Sequence, residues 1–240
     1  MPLKKPFIFI CTFFIFMACK NEIKLTFSEV NISASNNKLV EVNIPNAIGN
    51  EDVVNRINAT ISKNVIASLQ IGDLDNMTSK TIEESITTFN KEFQMFKTDF
   101  PESMQPWEAQ IDGEIIFQSL EIISIALTSY VNTGGVHGTL NISFLNFETQ
   151  TGHLIPNDKL FKDIESFKKT AKIYFDKTIE DKDIVLENTN IFKLASNIAY
   201  SDTGIVLLYN TNEIIPYPTD IIEFTIPFNE VGPLLNFDSF

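Results

Sequence analysis

Tyr130-Val131-Asn132-Thr133-Gly134-Gly135-Val136-His137-Gly138 is the stretch of this sequence whose residue types could do chemistry together. Three glycines within five residues open backbone conformations closed to other residues and let a ligand or another chain approach closely. No Lys-Ser/Thr follows them, and their spacing is not that of a dinucleotide loop, so no nucleotide is expected. His137 and His153 are the two histidines of the chain. Thr139–Phe147 reads as a strand between them, and at ~3.3 Å per residue it holds them about 30 Å apart, which argues against a shared metal. His137 is therefore expected as a structural, hydrogen-bonding residue of the loop, with a lone role among oxygen ligands left open. A Ser-His-Asp triad would need one of these histidines, and no serine lies in a nucleophile-elbow sequence. Paired carboxylates stay open, because acidic residues are plentiful and sequence spacing says little about them.

A second reactive residue stands near the start. Lys4 and Lys5 precede an apolar run from Phe7 to Met17, broken only by Thr12. The run suits a secretory signal and falls short of the ~20 residues a spanning helix needs. It ends in Phe16-Met17-Ala18-Cys19, which resembles the lipobox of bacterial lipoproteins, with Phe where Leu is usual. The resemblance implies that Cys19 carries a lipid anchor and that residues 1–18 are removed. Polar residues from Lys20 onward argue against a plain membrane helix. The other cysteine, Cys11, falls inside the signal, so the mature chain would hold no disulfide, thiolate nucleophile or Cys-ligated zinc.

Charge narrows the partners. The chain carries a formal −13; loss of Lys4 and Lys5 leaves 16 basic against 31 acidic residues, or −15. Nucleic-acid binding needs clustered Lys and Arg, and Arg56 is the sole arginine. An acidic surface keeps a protein soluble and favours encounter with cationic partners.

The elements that must position these residues follow from periodicity. Lys24–Phe27 reads as a short strand within a tether, and Leu39–Ile44 as a half-buried strand closed by Pro45. Asn50 caps a helix carrying Val53, Ile57, Ile61, Val65 and Leu69. A second helix from about Ser79 aligns Ile82, Ile86, Phe89, Phe93 and Phe96, a core stripe. Trp107–Ile111, an Asp112-Gly113 turn and Glu114–Leu120 read as a hairpin. Strands follow at Glu121–Val131 and Thr139–Phe147, then a turn at Glu148–Gly152 and a helix over Leu160–Thr178. Ile198–Ser201 and Ile205–Tyr209 form a hairpin, Ile221–Pro227 a strand, and Phe228–Leu235 a helical turn. Blocks of helices and strands, not βαβ alternation, predict an α+β fold.

Tyr130–Gly138, Asn146–Gly152 and Lys159-Leu160-Phe161 resemble the consensus of a bacterial family of unknown function, with its Tyr-x-x-Thr-Gly-Gly-Ala-His-Gly loop. Gly204–Asn210, Glu213–Tyr217 and Phe224–Phe228 resemble its closing segment. Ile44–Ser129 is similar to the domain that usually precedes it, and that also precedes the catalytic domain of a peptidoglycan deacetylase. The pair forms the extracellular part of a lysozyme-binding anti-sigma factor. Val136 replaces the family's Ala, and Pro218-Thr219-Asp220 follows Tyr217 where small residues are common. The resemblance implies two small, closely packed units of helix and antiparallel sheet. Residues 1–18 are the signal, 19–37 the lipidated tether, 38–129 the first domain and 130–240 the second. It also implies a non-enzymatic envelope lipoprotein, without cofactor, that binds peptidoglycan or a cationic wall hydrolase such as lysozyme. The candidate binding residues are Tyr130, Thr133, Gly134, Gly135, His137, Gly138 and Tyr217. A glycan hydrolase working with paired carboxylates is the alternative.

Overall fold

The computed structural model describes residues 24–102, 105, 107–182, 184, 192–211, 213–214 and 221–238; Cys19 and Tyr217 lie outside them. Among these residues the fold is α+β, with four helices and two sheets. The larger sheet has the order β1 (Thr26–Ile32), β2 (Val40–Ile48), β3 (Glu108–Gln118), β4 (Ile122–Asn132) and β5 (Thr139–Glu148). It is not wholly antiparallel. β2 and β3 run parallel, from Val40 opposite Ala109 to Asn43 opposite Asp112. Parallel neighbours need a long crossover, which α1 (Glu51–Leu69) and α2 (Ile82–Asp99) supply.

Local signals start those helices. The Asn50 side chain accepts a 3.3 Å hydrogen bond from the Val53 amide. Thr81 caps α2 through the Glu84 amide, and Glu84 answers by accepting from the Lys80 amide at 2.7 Å, so donors on both sides of the cap are satisfied. Val53, Ile57, Ile61, Val65, Ile82, Ile86 and Phe89 then pack on one sheet face with Val42, Ile44, Ile111 and Ile125.

Three expectations change. β1 continues to Ile32 and pairs along its whole length with β2, well into the stretch assigned to the tether. β2 runs through Pro45 to Ile48; Pro45 stands beyond Asn43, where the β3 pairing stops. Asp112-Gly113 is no turn, since β3 passes straight through it. A Cβ on Gly113 would approach the Pro45 ring to 2.7 Å and Leu127 to 2.8 Å, so glycine serves close packing there.

The smaller sheet, β6 (Asn197–Tyr200), β7 (Gly204–Tyr209) and β8 (Ile222–Pro227), is antiparallel and packs with α3 (Ile164–Asp181) and α4 (Phe228–Val231) in a second core. Phe117 and Ile122, from the larger sheet, belong to this second core. β4 is therefore buried on both faces from Ile122 to Leu127, which explains its near-continuous apolar sequence. Where the sheets meet, Ser124 donates to Asn146 Oδ1 at 2.6 Å, Asn146 Nδ2 donates to the Ile198 carbonyl at 2.7 Å, and the Tyr200 amide donates to Ser124 Oγ at 3.2 Å. Asn210 adds a two-way amide pairing with the Ile142 backbone, and the Asn197 side chain accepts from the Phe144 amide.

Asn146 is 1% exposed, so Asn146→Ala leaves the Ile198 carbonyl buried without its donor and deprives the Ser124 hydroxyl of its acceptor. We expect a loss of about 2–3 kcal/mol in urea unfolding. A change below about 0.5 kcal/mol would show that water replaces the amide at no cost.

Candidate functional site

The end of the larger sheet where β1 stops, β2 and β3 begin, and β4 hands over to β5 gathers the loops 33–39 and 133–138, beside Trp107 at the start of β3. Three hollows of about 640, 570 and 460 Å³ also lie there.

The glycine loop is built from below. Trp107, 6% exposed, is ringed by Phe89, Phe93 and Phe96 of α2 at centroid distances of 5.6, 5.8 and 5.4 Å. The aromatic stripe of α2 is thus core, and it ends beneath the loop. A Cβ on Gly134 would lie 3.1 Å from the Trp107 indole nitrogen, which has no hydrogen-bond partner among the described residues. Gly134 takes φ 87°, with its amide donating to Asn132 Oδ1 at 2.9 Å. Gly138 serves a different purpose: a Cβ there would overlap the Tyr130 ring, so its absence lets that ring lie against the chain. Thr133, Gly135 and His137 are exposed at the tip, and Val136 is 89% exposed. The His137 ring makes no hydrogen bond to the described residues, contrary to the bracing role expected of it. The reason is position, since the loop turns the ring outward to water. His153 is also exposed, beyond the opposite end of β5. No group of three or more His, Cys, Asp or Glu among the described residues could hold a metal.

Tyr130 carries the loop's influence into the first of these hollows, a cleft on the sheet face turned away from α1 and α2. Asn31 and Gln110 line it, and both are tied by their side chains to neighbours just beyond the cleft, Asn43 and Asp112. Asn31 donates to Asn43 at 2.7 Å, Asn43 to Asp112 at 3.1 Å, and Gln110 to Asp112 at 2.9 Å. Asn37 pins the rim: its Nδ2 donates to the Val40 carbonyl, and its Oδ1 accepts from the Val40 amide at 3.1 Å and from Asn90 of α2 at 3.0 Å. Lys38, Glu41, Glu108 and the Tyr130 hydroxyl line the same space without a hydrogen bond or ion pair to the described residues. Thr133 lies on the other side, lining the third hollow between β4, β5 and the C-terminal end of α1.

Sequence reasoning reached Tyr130 and the glycine loop but missed the polar residues of β2 and β3. Their signal was present as alternation, Glu41 with Asn43 and Glu108 with Gln110, Asp112 and Glu114. A hairpin placed at Asp112-Gly113 hid it. Tyr217, the last of the candidates, lies outside the described residues.

The fold and cleft define a two-core α+β protein with an open polar sheet end. Comparison with known proteins adds the class. Residues 32–140 match the family described as "Deacetylase PdaC", and residues 154–229 match "Protein of unknown function (DUF3298)". The chain thus carries a PdaC deacetylase-like segment followed by a DUF3298 segment, with most of β5 between them. A crystal structure of a DUF3298 family protein from Pseudomonas aeruginosa PAO1 is 15% identical, with a TM-score of 0.59 over 89% of this chain and 94% of that one. A second, from Bacteroides fragilis NCTC 9343, is 16% identical, with a TM-score of 0.61 over 90% and 94%. At these identities the likeness is one of fold. No curated protein matches the sequence.

Gly138→Val drives a branched side chain into the Tyr130 ring, while Gly135→Ala adds an exposed methyl 3.3 Å from the His137 carbonyl oxygen. We expect the first to cost more than about 1 kcal/mol and the second less than half of that in thermal melts. Equal melting of both with the native protein would refute a packing role for Gly138.

Proposed function

We propose that this chain is a lipid-anchored protein of the bacterial cell envelope, held by Cys19, that binds a wall component or a wall-cleaving protein such as lysozyme without catalysing a reaction. The observation that carries this reading is the open polar cleft at the end of the larger sheet. β1 enters that sheet at Thr26, seven residues after Cys19, and runs toward the cleft for about 20 Å at the usual rise per residue. An anchor at Cys19 would suit a partner met at the far end of β1, where the glycine loop and cleft lie. No helix among the described residues is long and apolar enough to cross a membrane.

A binder suits the cleft better than a hydrolase does. A glycosidase acid is a carboxyl shielded from water, whereas Glu41 and Glu108 are both exposed. The family names support an extracellular, wall-related setting. Charge supports the lysozyme arm, since the mature −15 would steer a cationic protein toward this surface.

Palmitate labelling tests the anchor: Cys19→Ser should abolish it, and equal labelling would overturn the assignment. Partner binding is tested with the mature chain carrying Cys19→Ser, by calorimetry against lysozyme and by co-sedimentation with peptidoglycan. Cytochrome c, cationic and unrelated, is the control at ~0.15 M salt, where exposed charges are screened within ~8 Å. We expect saturable binding to lysozyme or to the wall and none to cytochrome c. Indistinguishable heats for the two cationic proteins, with no co-sedimentation, would leave only a nonspecific acidic surface.

A further inference from the structure

We propose that the outer edge of β1 is a strand-addition site, taking an extended segment of another protein in which basic and apolar residues alternate. It is a separate surface from the cleft, and the wall-binding reading does not depend on it.

Pleating decides which main-chain groups of β1 are free, because successive residues of a strand turn their N–H and C=O to opposite edges. Ala47 spends both of its groups on Asn58 of α1: its amide donates to Oδ1 at 2.8 Å, and its carbonyl accepts from Nδ2 at 3.1 Å. The Leu39 carbonyl, at another odd position, accepts from the Ala109 amide of β3 at 2.8 Å. Odd-numbered residues of β2 therefore point away from β1. Their register partners Phe27, Glu29 and Asn31 point away from β2 in turn. Glu29 stands opposite Pro45, which has no N–H to give. The outward N–H and C=O groups of Phe27, Glu29 and Asn31 meet no hydrogen-bonding partner among the described residues.

Elsewhere the larger sheet stops its edges. The Asn37 carboxamide takes both main-chain groups of Val40, just beyond the last residues of β1. Asn58 does the same for Ala47 where β3 has left β2, and Asn210 for Ile142 on β5. Further along β5, Asn197 takes the Phe144 amide, the Asn146 carbonyl accepts from Ile155, and the Glu148 amide donates to His153. β1 has none of the usual protections. No proline, lysine or register shift interrupts its seven residues. Such an edge binds an extended chain through main-chain hydrogen bonds, and neighbouring side chains choose the sequence.

Those side chains set the chemistry of the occupant. Across a strand pair, residues directly opposite share a face. Val30 and Ile32 lie half-buried against the first core, so apolar residues opposite them would extend that core. Glu29 and Asn31 lie on the other face, toward exposed Glu41 and Glu108, which favours basic residues opposite. A second copy of this chain fits less well. Full overlap of two β1 strands sets Glu29 against Glu29, between chains that each carry a formal −13.

The test is titration calorimetry of the mature chain, carrying Cys19→Ser, with the end-blocked peptide Val-Lys-Val-Lys-Val-Lys-Val, which matches β1 in length. Its lysines fall opposite Phe27, Glu29 and Asn31, so the lysine amides are the ones that meet the edge. Saturable binding is expected, weakened about tenfold or more by N-methylating the lysines and changed less than about threefold by N-methylating the valines. Glu29→Pro removes one outward N–H and no hydrogen bond to β2, and should weaken binding as lysine methylation does. Should that variant fail to fold, the two methylated peptides still decide. The same peptide with glutamate for lysine should bind at least about tenfold more weakly. Equal binding of both methylated peptides overturns strand addition, and equal binding of the lysine and glutamate peptides overturns the basic occupant. Absence of binding overturns the site. Sedimentation should show a monomer without peptide; a dimer that Glu29→Pro dissociates would give the edge to a second copy and overturn the foreign segment.

Discussion

Ser124 and Asn146 face each other across β4 and β5, almost wholly buried, and between them they satisfy backbone groups of Ile198 and Tyr200 in the other sheet. Burying a hydroxyl and an amide costs free energy unless every partner is found, so this junction fixes the register. A slip of one residue would turn Asn146 toward α1 and α2 and bring Leu145 or Phe147 to the seam. Joining the sheets in this one register is what makes β4 a strand with two apolar faces. The amide pairing of Asn210 with Ile142, and the Asn197 contact with Phe144, extend the seam along β5.

What the seam fixes at one place is felt at the open end of the sheet. β4 leaves the junction and delivers Tyr130 beside Gln110, and β5 begins where the glycine loop returns. Meanwhile β2 and β3 start side by side because α1 and α2 carry the chain back across the sheet. The cleft is therefore made from strand positions, with a loop rim pinned by Asn37. Sites on strands hold their geometry more closely than sites on loops. The exposed tip, with Val136 and His137 turned to water, is free to meet a larger partner without disturbing that floor.

Much of this was legible from the sequence where one residue type admits one local solution. Asn50 announced α1, the stripe from Ile82 to Phe96 announced α2, and the short runs Ile198–Ser201 and Ile205–Tyr209 announced the β6–β7 hairpin, where the Ser201 amide donates to the Gly204 carbonyl at 2.8 Å. Asp112-Gly113 misled because glycine answers two needs alike, a positive φ or the close approach of neighbouring chains. Only the position of Pro45 and Leu127 tells which applies. β1 was cut short because its faces are half exposed and its partner lies across a loop. His137 was read as a brace, since sequence does not say which way a loop side chain turns. The cleft was illegible for a deeper reason: its residues come from β1, β2, β3 and β4, and only the mixed strand order brings them together.

That the far end of the larger sheet does the binding is tested most directly by hydrogen exchange on the mature chain with and without soluble peptidoglycan fragments. Slowed exchange is predicted in residues 31–41, 107–110 and 130–138, with β6–β8 and α3 unchanged. Protection confined to β6–β8 and α3, or none at saturating fragment, would contradict it.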